Sequence, residues 1–295
     1  MSKSAKDQPA WTSIQFKTGL GQEDLACWLM IEWGAYGCET QACGDQQVII
    51  KAAFESTNLS DSAIKDLALV LEGYGLGESL RTLRVEQVNH EDWLSKWKEG
   101  FGPFPVGNRL LICPAWRAAS EKGRTPLVIN PGMAFGTGLH ATTQYCLQAI
   151  ERLASPGKIL DVGTGSGILA IASALLHPNA GIVALDNNTH AIENARENIR
   201  LNNLSDRIQL IEGEPGASLG KFDCILSNLT YEDIIALLPV YLNLLEVPGK
   251  IICSGILEEK LGNLESALSD RLLRIIDKSS VGEWVGLTIS MSTPG

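Results

Sequence analysis

Apolar and polar positions change period several times over the first ninety residues. Thr12 to Lys17 alternates apolar and polar side chains, as a half-buried strand does, and Gln22 to Trp33 repeats at helical spacing. Tyr36 to Ala42 and Gln47 to Phe54 are again strand-like. Ser60 and Asp61 open a second helix that runs to about Glu72 and stops at Gly73, Gly75 and Gly77, and Arg81 to Val88 reads as a last strand. The order βαββαβ predicts a small ferredoxin-like α+β domain over residues 1–90. It contains no constellation of catalytic residues, so an accessory or substrate-recognition role is expected of it.

Between Glu91 and Gly107 the pattern gives way to tryptophan, lysine, glycine and proline. Trp93 and Trp97 lie one helical turn apart and Pro103 and Pro105 then forbid helix, which predicts a linker helix and an extended crossing segment over 91–107. The tryptophan pair reads as packing at a domain junction. Arg109 to Cys113 and Pro126 to Ile129 look like a hairpin or edge strands. From there the rhythm is regular. Strands are expected at Lys158–Val162, Gly181–Leu185, Ile208–Glu212, Phe222–Ser227 and Lys250–Ser254, with helices near Gly167–Leu176, Thr189–Asn202 and Glu232–Leu245. Such βαβ alternation predicts a Rossmann-like parallel sheet with helices on both faces over residues 108–295. Leu272–Asp277 and Trp284–Ser290 are separated by too short a turn for a parallel crossover, so they should pair antiparallel.

Composition narrows the class. The 295 residues are 45% hydrophobic and 20% charged, with 24 basic against 34 acidic side chains and a net charge of −10. That length accommodates two modest domains, each with its own core. The longest apolar run, Ile168 to Leu176 interrupted only by Ser173, falls far short of the ~20 residues a membrane helix needs. Met1 to Pro9 is polar and leads into no hydrophobic region, so no secretory signal is read and a cytoplasmic location is expected. Seven scattered cysteines, never spaced as C-x-x-C, and four histidines suggest neither a disulfide framework nor a metal site. A pI near 5.0 argues against holding nucleic acid through bulk charge and better suits a basic partner.

The strongest chemical signal is Leu160-Asp161-Val162-Gly163-Thr164-Gly165-Ser166-Gly167 at a strand-to-helix junction, with Asp186 closing the next strand. Glycines there admit a nucleotide-like ligand to the backbone, and the downstream carboxylate can accept from both ribose hydroxyls. Gly165, Gly167 and Ala170 also satisfy the dinucleotide pattern G-x-G-x-x-A. Asp161, just before the turn, would repel a pyrophosphate but attract the sulfonium or ammonium of S-adenosylmethionine, which favours the latter ligand. Asn130 to His140 holds Gly132, Gly136 and Gly138 beside Met133 and Phe135, a flexible loop able to fold over a ligand, and a helix starts at Ala141, Thr142 and Thr143. Thr143 either bonds its own helix start or contacts the cofactor, and His140 reads as structural rather than as a base. Asp223 to Leu229 is an apolar strand ending in Asn228 at the carboxyl edge of the sheet. Asn228 is either the cap of the next helix or an acceptor for an incoming amine. The Asn-Pro-Pro-aromatic pattern of base-methylating enzymes is absent here, where the chain reads Asn228-Leu229-Thr230-Tyr231.

The loop, the glycine turn, Asp186 and Asn228, together with Trp93, Trp97, Phe101 to Pro105 and Glu283-Trp284, resemble the PrmA family of ribosomal protein L11 methyltransferases over essentially the whole chain. The resemblance implies a class I S-adenosylmethionine-dependent methyltransferase domain behind a small substrate-recognition domain. It places cofactor contacts on Thr143, Gly163, Asp186 and Asn228, with Phe135, Gly136 and Gly165 as neighbours. Two positions depart from the family pattern: Asn130 stands where an acidic residue usually precedes the loop proline, and Leu229-Thr230 where Ile-Leu is expected. The implied reaction is in-line methyl transfer to lysine ε-amines and an N-terminal α-amine of ribosomal protein L11, with Asn228 as catalytic residue, by a monomer needing neither membrane nor nucleic acid. Methylation of another protein, an RNA or a small amine, and a non-catalytic dinucleotide-binding module, are the alternatives.

Overall fold

The computed structural model describes residues 11–35, 37–44, 46–55, 60–88, 102–130, 138–269, 271 and 273–291. Trp93, Trp97, Phe101, Met133, Phe135 and Gly136 lie outside the described residues. Described residues up to Gly102 belong to one compact unit and those from Pro103 onward to a second.

In the first unit, β1 (Trp11–Gly19), α1 (Glu23–Glu32), β2 (Gly37–Ala42), β3 (Gln47–Glu55), α2 (Asp61–Gly73) and β4 (Arg84–Val88) follow the expected order. The sheet runs β2-β3-β1-β4 with every neighbouring pair antiparallel, the ferredoxin-like arrangement. Ile14, Phe16, Met30, Ile50, Phe54, Leu67 and Leu71 are buried in its core, and Ser60 caps α2 by accepting from Ala63 N at 3.2 Å. The last strand does not begin at Arg81. Gly77–Thr82 winds into a 3₁₀ turn, and the hydroxyl of Thr82 accepts from Lys17 N at 2.8 Å, just past the last ladder pair, Gln15 with Arg84. A side-chain acceptor there ends the ladder and lets the backbone coil.

The second unit opens with a small sheet of β5 (Phe104–Val106), β6 (Leu110–Pro114) and β7 (Thr125–Ile129). The hairpin reading of the last two fails: β6 and β7 run parallel, Leu110 opposite Thr125 through Pro114 opposite Ile129, and the antiparallel partner of β6 is β5. Alternating apolar positions report burial but not direction. The returning chain is held by Arg124, whose Nη1 donates to Gly107 O and Leu110 O, both at 2.9 Å.

The large sheet comprises β8 (Lys158–Val162), β9 (Gly181–Asp186), β10 (Ile208–Glu212), β11 (Phe222–Asn228), β12 (Leu245–Leu257), β13 (Leu273–Val281) and β14 (Trp284–Met291), in the order β10-β9-β8-β11-β12-β14-β13. The first five in that order are parallel, and β14 is antiparallel to both neighbours, as the short turn before it required. Helices α3 (Ala141–Glu151), α4 (Ile168–Leu176) and α5 (Thr189–Leu201) cover one face, and α6 (Tyr231–Leu244) and α7 (Leu261–Ser269) the other. The central strands feed both cores alternately: Ile159, Cys224, Leu226 and Ile252 face the first, Leu160, Val162, Ile225 and Ile251 the second. Helix α7 was not read from the sequence. Leu261, Leu264 and Leu268 carry its apolar stripe, but Gly262 and Asn263 weaken the local signal. The order of the sheet reverses between β8 and β11, and a ligand crevice forms outside the carboxyl ends of strands at such a point.

Candidate functional site at the carboxyl edge of the sheet

Strand register brings the sequence-predicted residues to one level. Val162 pairs with Leu185 on one side and Ser227 on the other, so Gly163, Asp186 and Asn228 each lie one position further along three adjacent strands. Glu212 opposite Asp186 and Ser254 opposite Asn228 extend the same row.

Gly163, Gly165 and Gly167 have φ of 68°, 54° and 82°, in the left-handed region open to glycine. Neighbouring protein atoms also exclude a side chain at two of them. A Cβ on Gly163 would collide with the side chain of Leu229, and one on Gly167 would stand 3.3 Å from Ala195 Cβ, where α4 and α5 approach. The turn is tied at both ends. Asp186 accepts from Gly165 N at 2.9 Å through Oδ2 and from Asn188 N at 3.0 Å through Oδ1. Each oxygen keeps a second acceptor position, enough for two ribose hydroxyls. Beneath the turn, buried Asp161 accepts from Thr164 Oγ1 at 2.6 Å and from Ala170 N at 3.1 Å. Burial pushes its carboxyl up to about 7, opposed by those two hydrogen bonds and assisted by the nearby charge of Asp186.

Across the crevice, Asn228 Nδ2 donates to Thr143 Oγ1 at 3.3 Å, while Asn228 Oδ1 is buried with no partner among the described residues. The capping alternative for Asn228 falls away, and the Thr143 hydroxyl meets Asn228 across the strand ends. Thr230, not Asn228, caps α6 by accepting from Asp233 N at 3.2 Å, and the cap of α3 is His140, whose Nδ1 accepts from Thr142 N at 3.4 Å. The His140 ring also stands edge-on to Trp284, with centroids 5.1 Å apart, which gives it the structural place expected. Sequence reasoning missed Leu229 as the side chain packed on Gly163; a residue following a strand-end asparagine carries no local mark of that contact. Asn130 donates from Nδ2 to Glu197 Oε1 at 3.1 Å, so an acidic residue there would set two carboxylates together.

Among the described residues no group of three or more His, Cys, Asp or Glu is placed to hold a metal ion, and no helix is long and apolar enough to cross a membrane. The thiols of Cys224 and Cys253 are pushed up to about 12 by burial, which makes them packing groups rather than nucleophiles.

A family model for ribosomal protein L11 methyltransferase (PrmA) matches residues 10–292. The chain is 31% identical over 301 residues to the ribosomal protein L11 methyltransferase of Caldicellulosiruptor saccharolyticus, covering 93% of this chain and 97% of that protein. It is 37% identical over 201 residues to that of Desulfitobacterium hafniense, covering 67% of this chain and 64% of the relative. A crystal structure of ribosomal protein L11 methylase from Lactobacillus delbrueckii subsp. bulgaricus superimposes with a TM-score of 0.61 at 35% identity, over 65% of this chain and all of the other.

Proposed function

The chain belongs to the ribosomal protein L11 methyltransferase family, whose members are S-adenosylmethionine-dependent enzymes, and from that premise we propose that it methylates lysine ε-amines and the N-terminal α-amine of ribosomal protein L11. The observation that carries the amine assignment is the Asn228 carboxamide. Its nitrogen donates to Thr143, and its buried oxygen has no partner among the described residues. An unsatisfied buried acceptor costs about 1–3 kcal/mol, which an incoming amine N–H would relieve.

The residues present fit the cofactor. Three left-handed glycines bring backbone to the crevice, Asp186 offers free acceptor positions to a ribose, and Thr143, Gly163, Gly165 and Asn228 surround the same edge, with Phe135 and Gly136 proposed as further contacts. When bound, S-adenosylmethionine supplies an electrophilic methyl group on a sulfonium. Asp161 and Asp186 both adjoin the turn, and burial chiefly, with a smaller share from the repulsion between the two carboxylates, favours a proton on Asp161. A pyrophosphate would add to that repulsion, whereas a cation relieves it, which supports S-adenosylmethionine over a dinucleotide.

The amine must react unprotonated. At pH 7 a lysine with an ordinary pKa near 10.4 pays roughly 4–5 kcal/mol for deprotonation, and a dry crevice lowers that cost by disfavouring the ammonium. Asn228 would accept the remaining N–H and aim the lone pair. The described site residues offer no evident general base, so catalysis rests on positioning, with water taking the proton. The first unit would supply substrate affinity, and the enzyme would act as a cytoplasmic monomer without a nucleic-acid requirement.

The test has two arms. Calorimetry of the full chain should show binding of S-adenosylmethionine and none of NAD. Labelled S-adenosylmethionine with a ribosomal extract should mark the L11 band, with label on lysine and the α-amine by mass spectrometry. Binding of NAD alone, or label confined to RNA, overturns the proposal.

A further inference from the structure

Asn194, Asn198 and Asn202 are spaced by four along α5 and its C-terminal cap, so one helical face presents three carboxamides in a row. That row lies along the open edge of the small sheet. Asn202 Oδ1 accepts from Val128 N at 2.9 Å and its Nδ2 donates to Val128 O at 2.7 Å. Two residues further along the chain, Asn198 Oδ1 accepts from Asn130 N at 2.7 Å and its Nδ2 donates to Asn130 O at 3.3 Å, joined by Asn194 Nδ2 at 3.2 Å from the same carbonyl. Four helical residues rise ~6 Å and two strand residues ~6.7 Å, so the repeats nearly match and the helix serves β7 as a neighbouring strand would.

Among the described residues Asn202 otherwise donates only to the carbonyl of Asn198, within its own helix. Asn198, fully buried, does something more: its Nδ2 also donates to Ser166 O at 2.9 Å, inside the turn between Gly165 and Gly167. One carboxamide therefore grips the backbone of Asn130 and the backbone of the glycine turn. Of the two rungs that pair with both the N–H and the carbonyl of a neighbouring residue, Asn198 is, among the described residues, the one that also bonds the turn.

We infer that Asn198 is a positioning residue for the cofactor: through Ser166 O it fixes the height of the Gly165 to Gly167 turn against the Asn130 end of the small sheet. The inference rests on the reading of that turn as the S-adenosylmethionine site. The turn is already tied at Gly165 N by Asp186 and at Thr164 by Asp161, and the carboxamide bond to Ser166 O adds a tether between two glycines, whose backbone is the least restrained of any residue.

The matched ladder rung provides the control. In the full chain, Asn202→Ala removes two bonds to Val128 without touching the turn, and Asn198→Ala removes the equivalent pair together with the Ser166 contact. Asn198→Asp retains an acceptor for Asn130 N and the side-chain volume while losing the donor to both Ser166 O and Asn130 O; since Asn202→Ala already reports the loss of strand bonding alone, a Kd change in the aspartate variant beyond that control reports on the turn even if the alanine variant folds poorly. Melting temperature without ligand, Kd for S-adenosylhomocysteine by calorimetry, and the split between KM and kcat are read for each. The expected result is a lowered melting temperature for all three, with Kd and the KM for S-adenosylmethionine raised about tenfold only in the Asn198 variants and kcat within about twofold. Equal Kd values across Asn198 and Asn202 variants overturn the positioning role while leaving the cofactor site intact. Failure of the unsubstituted chain to bind S-adenosylhomocysteine overturns the site reading and this inference with it.

Discussion

The two units solve the burial of polar groups differently. In the first, the buried polar side chains among the described residues are the hydroxyls of Thr12, Ser13, Thr18 and Ser79. In the second, the hydroxyls of residues such as Thr143, Ser173 and Thr288 and the imidazole of His177 are joined by a carboxyl, Asp161, and a carboxamide, Asn198, and these last two hold the glycine turn at the carboxyl edge of the large sheet. A sheet packed by helices on both faces can enclose such groups where strands end and backbone donors are free; a four-stranded sheet of exposed edge residues such as Arg84, Glu86 and Gln87 has less interior in which to do so. The buried carboxyl and carboxamide, which cost stability unless satisfied, thus lie where the chemistry is proposed, whereas the first unit buries hydroxyls among its described residues.

The harshest way to break this contrast is Gly165→Val. At φ 54° a β-branched side chain is strained by about 1–2 kcal/mol, and it stands where the ligand must approach. Cofactor binding should become undetectable by calorimetry, with a melt that remains cooperative but lowered; normal affinity would make the turn purely structural. Asp186→Ala comes next. It removes an acceptor for ribose and the tie to Gly165 N and Asn188 N, so affinity should fall by roughly 1–3 kcal/mol, accompanied by loss of stability that a ribose contact alone would not produce. Asn228→Ala should lower kcat about tenfold while changing the Kd for cofactor less than threefold, as expected of a group that aims the amine chiefly in the transition state. Equal losses would make it an ordinary cofactor contact.

A gentler test separates the units. A fragment beginning at Pro103, which keeps β5 within the small sheet, should bind S-adenosylmethionine within about twofold of the full chain and melt higher in its presence, yet methylate ribosomal protein L11 at least about tenfold less efficiently. Full efficiency in a folded fragment would remove recognition from the first unit. The smallest effect concerns Asp161. Its folded pKa of about 7 exceeds the ordinary carboxylate value of 3.8, so between those values the folded state holds more protons than the unfolded one. Stability without ligand should be greatest below pH 4 on this account and should decline as pH rises through 7. Asp161→Asn should flatten that decline by about 5 °C in melting temperature between pH 5 and 8, and parallel melting curves for both proteins would refute it.

Much of this architecture is legible in the chain because its causes are local. The alternation at Thr12 to Lys17, the βαβ rhythm from Lys158 onward and the short turn before Trp284 each follow from side-chain period or loop length, and the glycine turn with Asp186 from backbone freedom beside a carboxylate. Reading failed where two local solutions were equally compatible with the pattern. Arg81 to Leu83 could extend as strand or wind as 3₁₀, and the hydroxyl of Thr82 reaching Lys17, 65 residues away, selected the latter.

The sequence by itself thus determined most of the strands and helices, though not α7 or the 3₁₀ turn at Gly77–Thr82, which strand ends carry glycine, acid and amide, and the family to which those residues point. Tertiary structure alone decided that β6 and β7 are parallel, that Asn228 is bound through its nitrogen to a threonine 85 residues earlier with its oxygen left over, and that a row of asparagines clamps a strand 74 residues before it. The physical reason is that periodicity records how much of a side chain is buried. The partner of a hydrogen bond is set by which distant backbone the packed layers bring within 3 Å, and no local pattern encodes that.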